Sequence, residues 1–280
     1  MNAVLPAQPS TQRSVIWLFL FAVAFTALWL GLNIAFPELQ ATGIPSVVIR
    51  LVIHAIMLTG LWLGLAQTDL DAITRIRVWL AIALPLTAWL AIVSRLAVDG
   101  AFRPGPGVPA LPVAIFLPVL IGLPLLLRSK RIGALLDATP ASWLVGLQVY
   151  RIFGGIFLVA WSRGGISGTF ALPAGTGDVL VGLLALPVAY LLHAGVPAAR
   201  RIAVAWNILG LVDFAIAIGI GILSAPGPLQ VIIPDGPNAQ LGTFPTVMIP
   251  AFAVPSSILL HLLSLRQLRR LTKAEGAKRP

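Results

Sequence analysis

Eight stretches of about twenty mostly apolar residues recur along the chain, and they constrain its fold more than any other feature. They run Ser14–Phe36, Ser46–Ala66, Val78–Val98, Pro109–Leu127, Trp143–Ser162, Thr176–Ala194, Ile202–Leu223 and Thr246–Ser264. Each is long enough to carry a helix through the ~30 Å hydrocarbon core of a bilayer. In that solvent only helices and closed barrels satisfy their backbone groups. Just 10% of the 280 residues are charged and 58% are hydrophobic, where soluble domains carry about 25% charged residues. The expected architecture is an all-α, polytopic bundle of eight transmembrane helices, one domain over residues 1–280 without a soluble module. The first run exceeds the 7–15 residues of a signal-peptide core, and only Arg13 precedes it. It reads as an uncleaved span.

The basic residues test the span count independently. The N-terminus and the connections after even-numbered spans hold Arg13, Arg75, Arg77, Arg128, Lys130, Arg131, Arg200 and Arg201. Arg266, Arg269, Arg270, Lys273, Lys278 and Arg279 follow the last span, making fourteen of the nineteen on this side. The opposite loops hold Arg103 and Arg163, and Arg50, Arg95 and Arg151 fall inside spans. Lys and Arg accumulate in cytoplasmic loops, so both termini are expected in the cytoplasm and the span count is even. The net charge of +10 then belongs to one membrane face, where it meets anionic lipid rather than nucleic acid. Arginine far outnumbers lysine, which fits a GC-rich bacterial genome and a multi-pass protein of the cytoplasmic (inner) membrane. No cysteine is present, which removes disulfides, thiolate metal sites, iron–sulfur clusters and cysteine nucleophiles.

The outer connections are the long ones: Asp99–Pro109, Arg163–Gly175 and Ser224–Pro245. In the last, LQVII, PDGPN and AQLG follow one another, the pattern of a small hairpin or lid on the outer face. Prolines 85, 112, 118, 124, 187, 250 and 255 lie inside spans, where they kink a helix and neighbours re-satisfy the freed carbonyls. Spans three and seven are each followed by a PGP-containing loop and a proline-broken span, a weak sign of a 4+4 repeat about the membrane normal. Tyr150–Gly182, YRIFGGIFLVAWSRGGISGTFALPAGTGDVLVG, resembles a segment of uncharacterised multi-spanning bacterial membrane proteins. That resemblance covers about an eighth of the chain and implies a membrane family without implying an activity.

Ionisable residues at membrane depth cost about 2.5–3.5 kcal/mol each and mark functional sites by default. At ~1.5 Å per residue, Arg151 on span five, Asp213 on span seven and His54 on span two all fall near the midplane. Arg151 and Asp213 are expected to pair across the bundle interior. Gln148, one turn below Arg151, and Asn207 with Gly210, below Asp213, extend this pair into a polar seam. Arg50 shares a helix face with His54, and Arg95 lies near the outer surface. If Arg50 and Arg95 face inward they form a positive vestibule; otherwise Arg95 snorkels outward to Asp99. Asp178 opens span six, where a helix N-terminus favours a carboxylate.

Three functions are consistent with this pattern. The leading one is permease-like binding or transport of a small anionic solute, with Arg50, His54, Arg95, Gln148, Arg151, Asp178, Asn207 and Asp213 as binding or coupling residues. The second is a redox or sensory protein holding b-type haem or quinone at His193 and His261, which lie at similar depth near the ends of spans six and eight. The third is a non-catalytic scaffold or assembly protein whose buried charges set helix register. GxSxG, GxxxxGK[ST] and HExxH are all absent, so hydrolytic, nucleotide and zinc-protease chemistry find no support and the reading leans away from an enzyme. Membrane lipids are the expected partners, with homo-oligomerisation possible through the GxxxG of Gly60 and Gly64.

Overall fold

A computed structural model describes residues 9–38, 43–103, 110–227 and 229–276. Among them every regular element is helical, and eight segments are long and apolar enough to cross a membrane. The first four are α1 (Pro9–Ala35), α2 (Ile44–Ala66), α3 (Ala72–Val98) and α4 (Ala110–Arg128). A short helix, α5 (Lys130–Ala138), precedes a composite fifth span: α6 (Ala141–Gly146), a 3-10 segment (Leu147–Gly155) and α7 (Ile156–Ser162). Then come α8 (Gly168–His193), α9 (Ala199–Ser224) and a last span in which a π-helical turn (Ile249–Ala253) leads into α10 (Val254–Gly276).

Span five is the axis of the bundle, with 56% of its most apolar window buried against 11% for α1 and α4. The outer helices turn large apolar side chains such as Trp17, Phe21, Leu84 and Leu120 away from the protein, as a bilayer-facing surface requires. Close approach of span five to α8 depends on glycine. A Cβ on Gly182 would lie 2.5 Å from the Ile152 backbone nitrogen, and one on Gly175 would lie 2.8 Å from Leu158.

Two local expectations are corrected by the structure, and one connection gains a helix. Residues 168–175 extend α8 rather than forming loop: the Ser167 hydroxyl caps the Phe170 amide at 3.4 Å, and Pro173 is accommodated inside the helix. The 130–138 connection is the amphipathic helix α5, capped by Ser129 through the Ile132 amide at 3.3 Å. It buries Ile132, Leu135 and Leu136, and Gln267 of α10 donates to the Leu136 and Thr139 carbonyls at 2.6 and 2.7 Å.

The second correction concerns the hairpin reading of the segment after α9, which makes no strand ladder among the described residues and leaves the lid reading. It folds back as a cap: Val231 and Ile232 amides both reach the Leu223 carbonyl at 2.9 Å. Asp235 accepts from the amide and hydroxyl of Thr169, each at 2.9 Å, at the first turn of α8. Those two donors hold the Asp235 carboxyl below the usual carboxylate range. Arg163, one of the two basic residues expected on this side, caps α1 by donating to the Asn33 and Ile34 carbonyls at 2.6 and 3.0 Å. The bundle therefore has a capped end, built from residues 163–167, 225–227 and 229–245. Its basic end holds the start of α1, α5, the α8–α9 connection and the last turns of α10.

Candidate functional site

The 3-10 segment is nine residues long, where runs beyond three or four are uncommon and a mid-helix stretch often marks a functional hinge. Three residues per turn place Gln148, Arg151 and Gly154 on one stripe. All three are buried. Tyr150 and Gln148 fasten the segment to α10: the Tyr150 hydroxyl lies 2.6 Å from Ser257 Oγ, and Gln148 Nε2 donates to the Ser257 carbonyl at 3.2 Å.

Arg151 is the hub of the interior. Its Nε and Nη2 both lie 2.8 Å from Asp178 Oδ1. Nη2 also donates to Asp213 Oδ2. Nη1 donates to His261 Nε2 at 3.0 Å and to the Gly210 carbonyl at 3.3 Å. The guanidinium carbon stands 3.9 Å from the centroid of the Phe214 ring, a cation–π contact that covers the remaining face. Three elements thus converge on the one cation of the 3-10 segment: α8, α9 and α10.

The hydrogen bonds define the state of His261. Arginine has only donors, so Nε2 offers its lone pair and the ring is neutral. Nδ1 then carries the proton and donates to Asn207 Oδ1 at 2.9 Å. Asn207 Nδ2 donates to Ala203 O at 2.7 Å and Ser264 Oγ at 3.1 Å, which fixes the amide orientation. Glycines make the room. A Cβ on Gly154 would strike the Asp178 carboxylate, on Gly177 the Asp213 carboxylate, and on Gly210 the His261 ring.

One guanidinium faces two carboxylates and a neutral imidazole. With both carboxylates ionised the cluster itself carries one excess negative charge in a low-dielectric interior, which either the Arg50 guanidinium on the adjoining cavity or a bound proton offsets.

A cavity of about 30 Å3 lies beside the cluster, bounded by Arg50, Tyr150, Arg151, Asp178 and Ser257 among apolar neighbours. Its size suits one or two waters. Arg50 is 7% exposed, donates to the Pro245 carbonyl at 3.4 Å and has its guanidinium 5.0 Å from the Phe244 ring centroid. Among the described residues no carboxylate pairs with it.

The remaining expected site residues go elsewhere. His54 turns to α3, with Nε2 3.0 Å from Thr87 Oγ1, and leaves the cavity to Arg50. Arg95 does not join Arg50: it pairs with Asp99 at 2.8 Å on an exposed surface, so the two arginines form no common vestibule. Asp178 is not the first-turn acid expected from a helix opening near residue 176. With α8 beginning at Gly168, it lies ten residues inside and belongs to the cluster. His193 is exposed against Tyr190, whereas His261 is 0% exposed with both ring nitrogens engaged. The two histidines therefore share no environment. Gly60 faces Leu147 at the edge of an open groove, and Gly64 is buried against Leu135 and Thr139.

Sequence reasoning missed His261 and Phe214 as partners of Arg151. The available signal was the polar stripe Ser257, His261 and Ser264, spaced i, i+4, i+7 on the last span and matching Asn207, Gly210 and Phe214 on the seventh.

A family model for a domain of unknown function, DUF8737, matches residues 108–269. No curated protein and no solved structure matches the chain. The matched residues contain Gln148, Tyr150, Arg151, Asp178, Asn207, Asp213 and His261, while Arg50, His54 and Arg95 lie outside them. With more than half of its 280 residues inside the match, the chain belongs to the DUF8737 family of unknown function.

Proposed function

We propose that the protein is a permease-like carrier of a small anionic solute, with proton exchange at the Arg151–Asp178–Asp213–His261 cluster. The observation that carries this reading is the pairing of two unlike arginines on one cavity: Arg151, more than matched by carboxylates, and Arg50, buried with no carboxylate partner among the described residues. In this mechanism Arg50 attracts the anion from the capped end. The anion's arrival near Arg151 competes with Asp178 or Asp213, and the released carboxylate takes up a proton. The solute and the proton thereby move together. The distribution of basic residues supports a cytoplasmic basic end, both termini in the cytoplasm, and a bacterial inner-membrane location.

The test is reconstitution into liposomes loaded with a pH-sensitive dye, the membrane potential clamped, and inward gradients of lactate, succinate or inorganic phosphate applied. The expected result is a saturable, solute-dependent acidification that falls at least tenfold in Arg50→Gln and Asp213→Asn while both variants stay folded. A wild-type protein that moves none of the three anions overturns the reading.

The scaffold alternative is favoured by one observation: each ring nitrogen of His261 and every nitrogen of Arg151 already has a partner. It requires that apolar replacement of Arg151, Asp178 and Asp213 together leave cellular function intact.

A further inference from the structure

On the opposite side of the 3-10 segment from Arg151 runs a second, larger depression of about 690 Å3. Its floor is Gly146, Leu147 and Val149, and its walls come from Leu18 of α1, Ala55 and Thr59 of α2, and Leu186 of α8. Every one of these residues is half-buried or exposed, so the depression is a groove open to the surroundings rather than a closed cavity. Where it opens, the helices present Trp17, Phe21, Leu51 and Leu63 outward, and a surface of that kind faces acyl chains.

Chemistry changes along the groove. Towards mid-depth it is wholly apolar, at Ala55, Ile56 and Val149. At the basic end it gathers Ser142, Trp143, Tyr190 and His193, four side chains with hydrogen-bond donors. Arg13 at the start of α1 and Arg201 at the start of α9 are exposed at that same end. Its length is set by Ala55 to Leu63, eight residues of helix, or about 12 Å at ~1.5 Å per residue. One leaflet contributes about half of a ~30 Å hydrocarbon core.

From the apolar floor, the donor cluster at one end and the exposed arginines at that end of the bundle, we infer that this groove binds one acyl chain of an anionic phospholipid. The phosphate lies against Ser142, Tyr190 and His193. Volume, length and charge agree on that occupant: an apolar groove of this size is within the range of ligand sites, and the basic end of the bundle complements a phosphate but not a zwitterionic headgroup's outer cation. The inference is independent of any transport activity.

The experiment uses the full-length protein in nanodiscs of equal phosphatidylglycerol and phosphatidylcholine with identical chains, extracted into mild detergent and examined by native mass spectrometry. The expected spectrum shows one retained phosphatidylglycerol per chain, at least tenfold enriched over phosphatidylcholine. Ala55→Trp and Thr59→Trp, which fill the groove from its exposed wall, are expected to lose that lipid at least tenfold. His193→Ala with Ser142→Ala is expected to keep a lipid and lose the preference between headgroups. Equal retention of the two lipids by the wild type overturns the proposal, as does undiminished lipid in both tryptophan variants. A wild-type dimer that Ala55→Trp splits overturns it too, because the occupant would then be a second copy of the chain. A photoactivatable acyl chain on phosphatidylglycerol gives a readout that needs no variant: labelling at Leu147 or Leu186 supports the site, and labelling confined to other helices refutes it.

Discussion

Removing the cation and removing one of its two carboxylates should have unlike effects on stability. In Arg151→Gln, a side chain with two N–H donors replaces one that serves Asp178, Asp213, His261 and the Gly210 carbonyl. Two carboxylates then face each other at membrane depth with no positive charge between them. Breaking a buried ion pair in this manner costs about 3–5 kcal/mol, and at roughly 2–4 °C per kcal/mol for a chain of this size the melting temperature should fall by roughly 6–20 °C. Asp213→Asn keeps an acceptor for Nη2, leaves Arg151 paired one-to-one with Asp178, and removes a charge that costs about 2.5–3.5 kcal/mol to place at mid-depth. Its melting temperature should stay within about 4 °C of wild type or rise. Thermal unfolding in detergent, followed by the intrinsic fluorescence of the eight tryptophans, measures both. If Asp213→Asn unfolds as early as Arg151→Gln, the charge count is wrong. If Arg151→Gln unfolds with the wild type, the hub is not a hub.

Gly182→Ala places a Cβ 2.5 Å from the Ile152 nitrogen; overpacking of this kind should cost about 1–3 kcal/mol, visible in the same melting assay. Two contacts at the basic end should separate by burial. Gln267→Ala strands the Leu136 and Thr139 carbonyls and should cost about 1–3 kcal/mol, while Arg270→Ala breaks only a half-exposed pair with Asp137 and should cost less than about 1 kcal/mol. The cap should respond to acid. Because Thr169 lowers the Asp235 carboxyl below its ordinary 3.8, the stabilisation is present above that value and is lost as pH falls through the lower folded one. Hydrogen exchange should show residues 229–241 loosening below about pH 3.8, and Asp235→Asn should remove that dependence; an unchanged acid profile in the variant would contradict the assignment.

Arg151 and Asp213 were legible as a pair because each is the lone charge on a span whose ends are well marked by apolar composition. Asp178 and His261 were not, and for one reason: composition alone misplaces the ends of the helices that carry them. Pro173 and the glycines of PAGTG read as loop in a soluble context, yet a membrane helix tolerates them once neighbours satisfy the backbone. Starting α8 at Gly168 instead of near 176 moves Asp178 from an end to the interior. Extending the last span to Gly276 does the same for His261. The 3-10 geometry of 147–155 has no composition signature of its own. It follows from tertiary demands: Gly154 and Gly182 permit an approach that an α-helical span with side chains at those positions would block.

That segment is also where the two proposed sites meet. Leu147 and Val149 form the floor of the groove, while Tyr150, Arg151 and Gly154 line the cavity by the cluster. A nine-residue 3-10 helix is about 2.0 Å per residue long against 1.5 Å for the α form, so conversion to α-helix would shorten it by roughly 4–5 Å and rotate its stripes. Arg151 cannot follow such a shift while holding Asp178, Asp213 and His261 together. The polar network therefore favours the stretched form. On the proposed reading, an anion that draws Arg151 from either carboxylate would also lower the cost of relaxing the helix behind it.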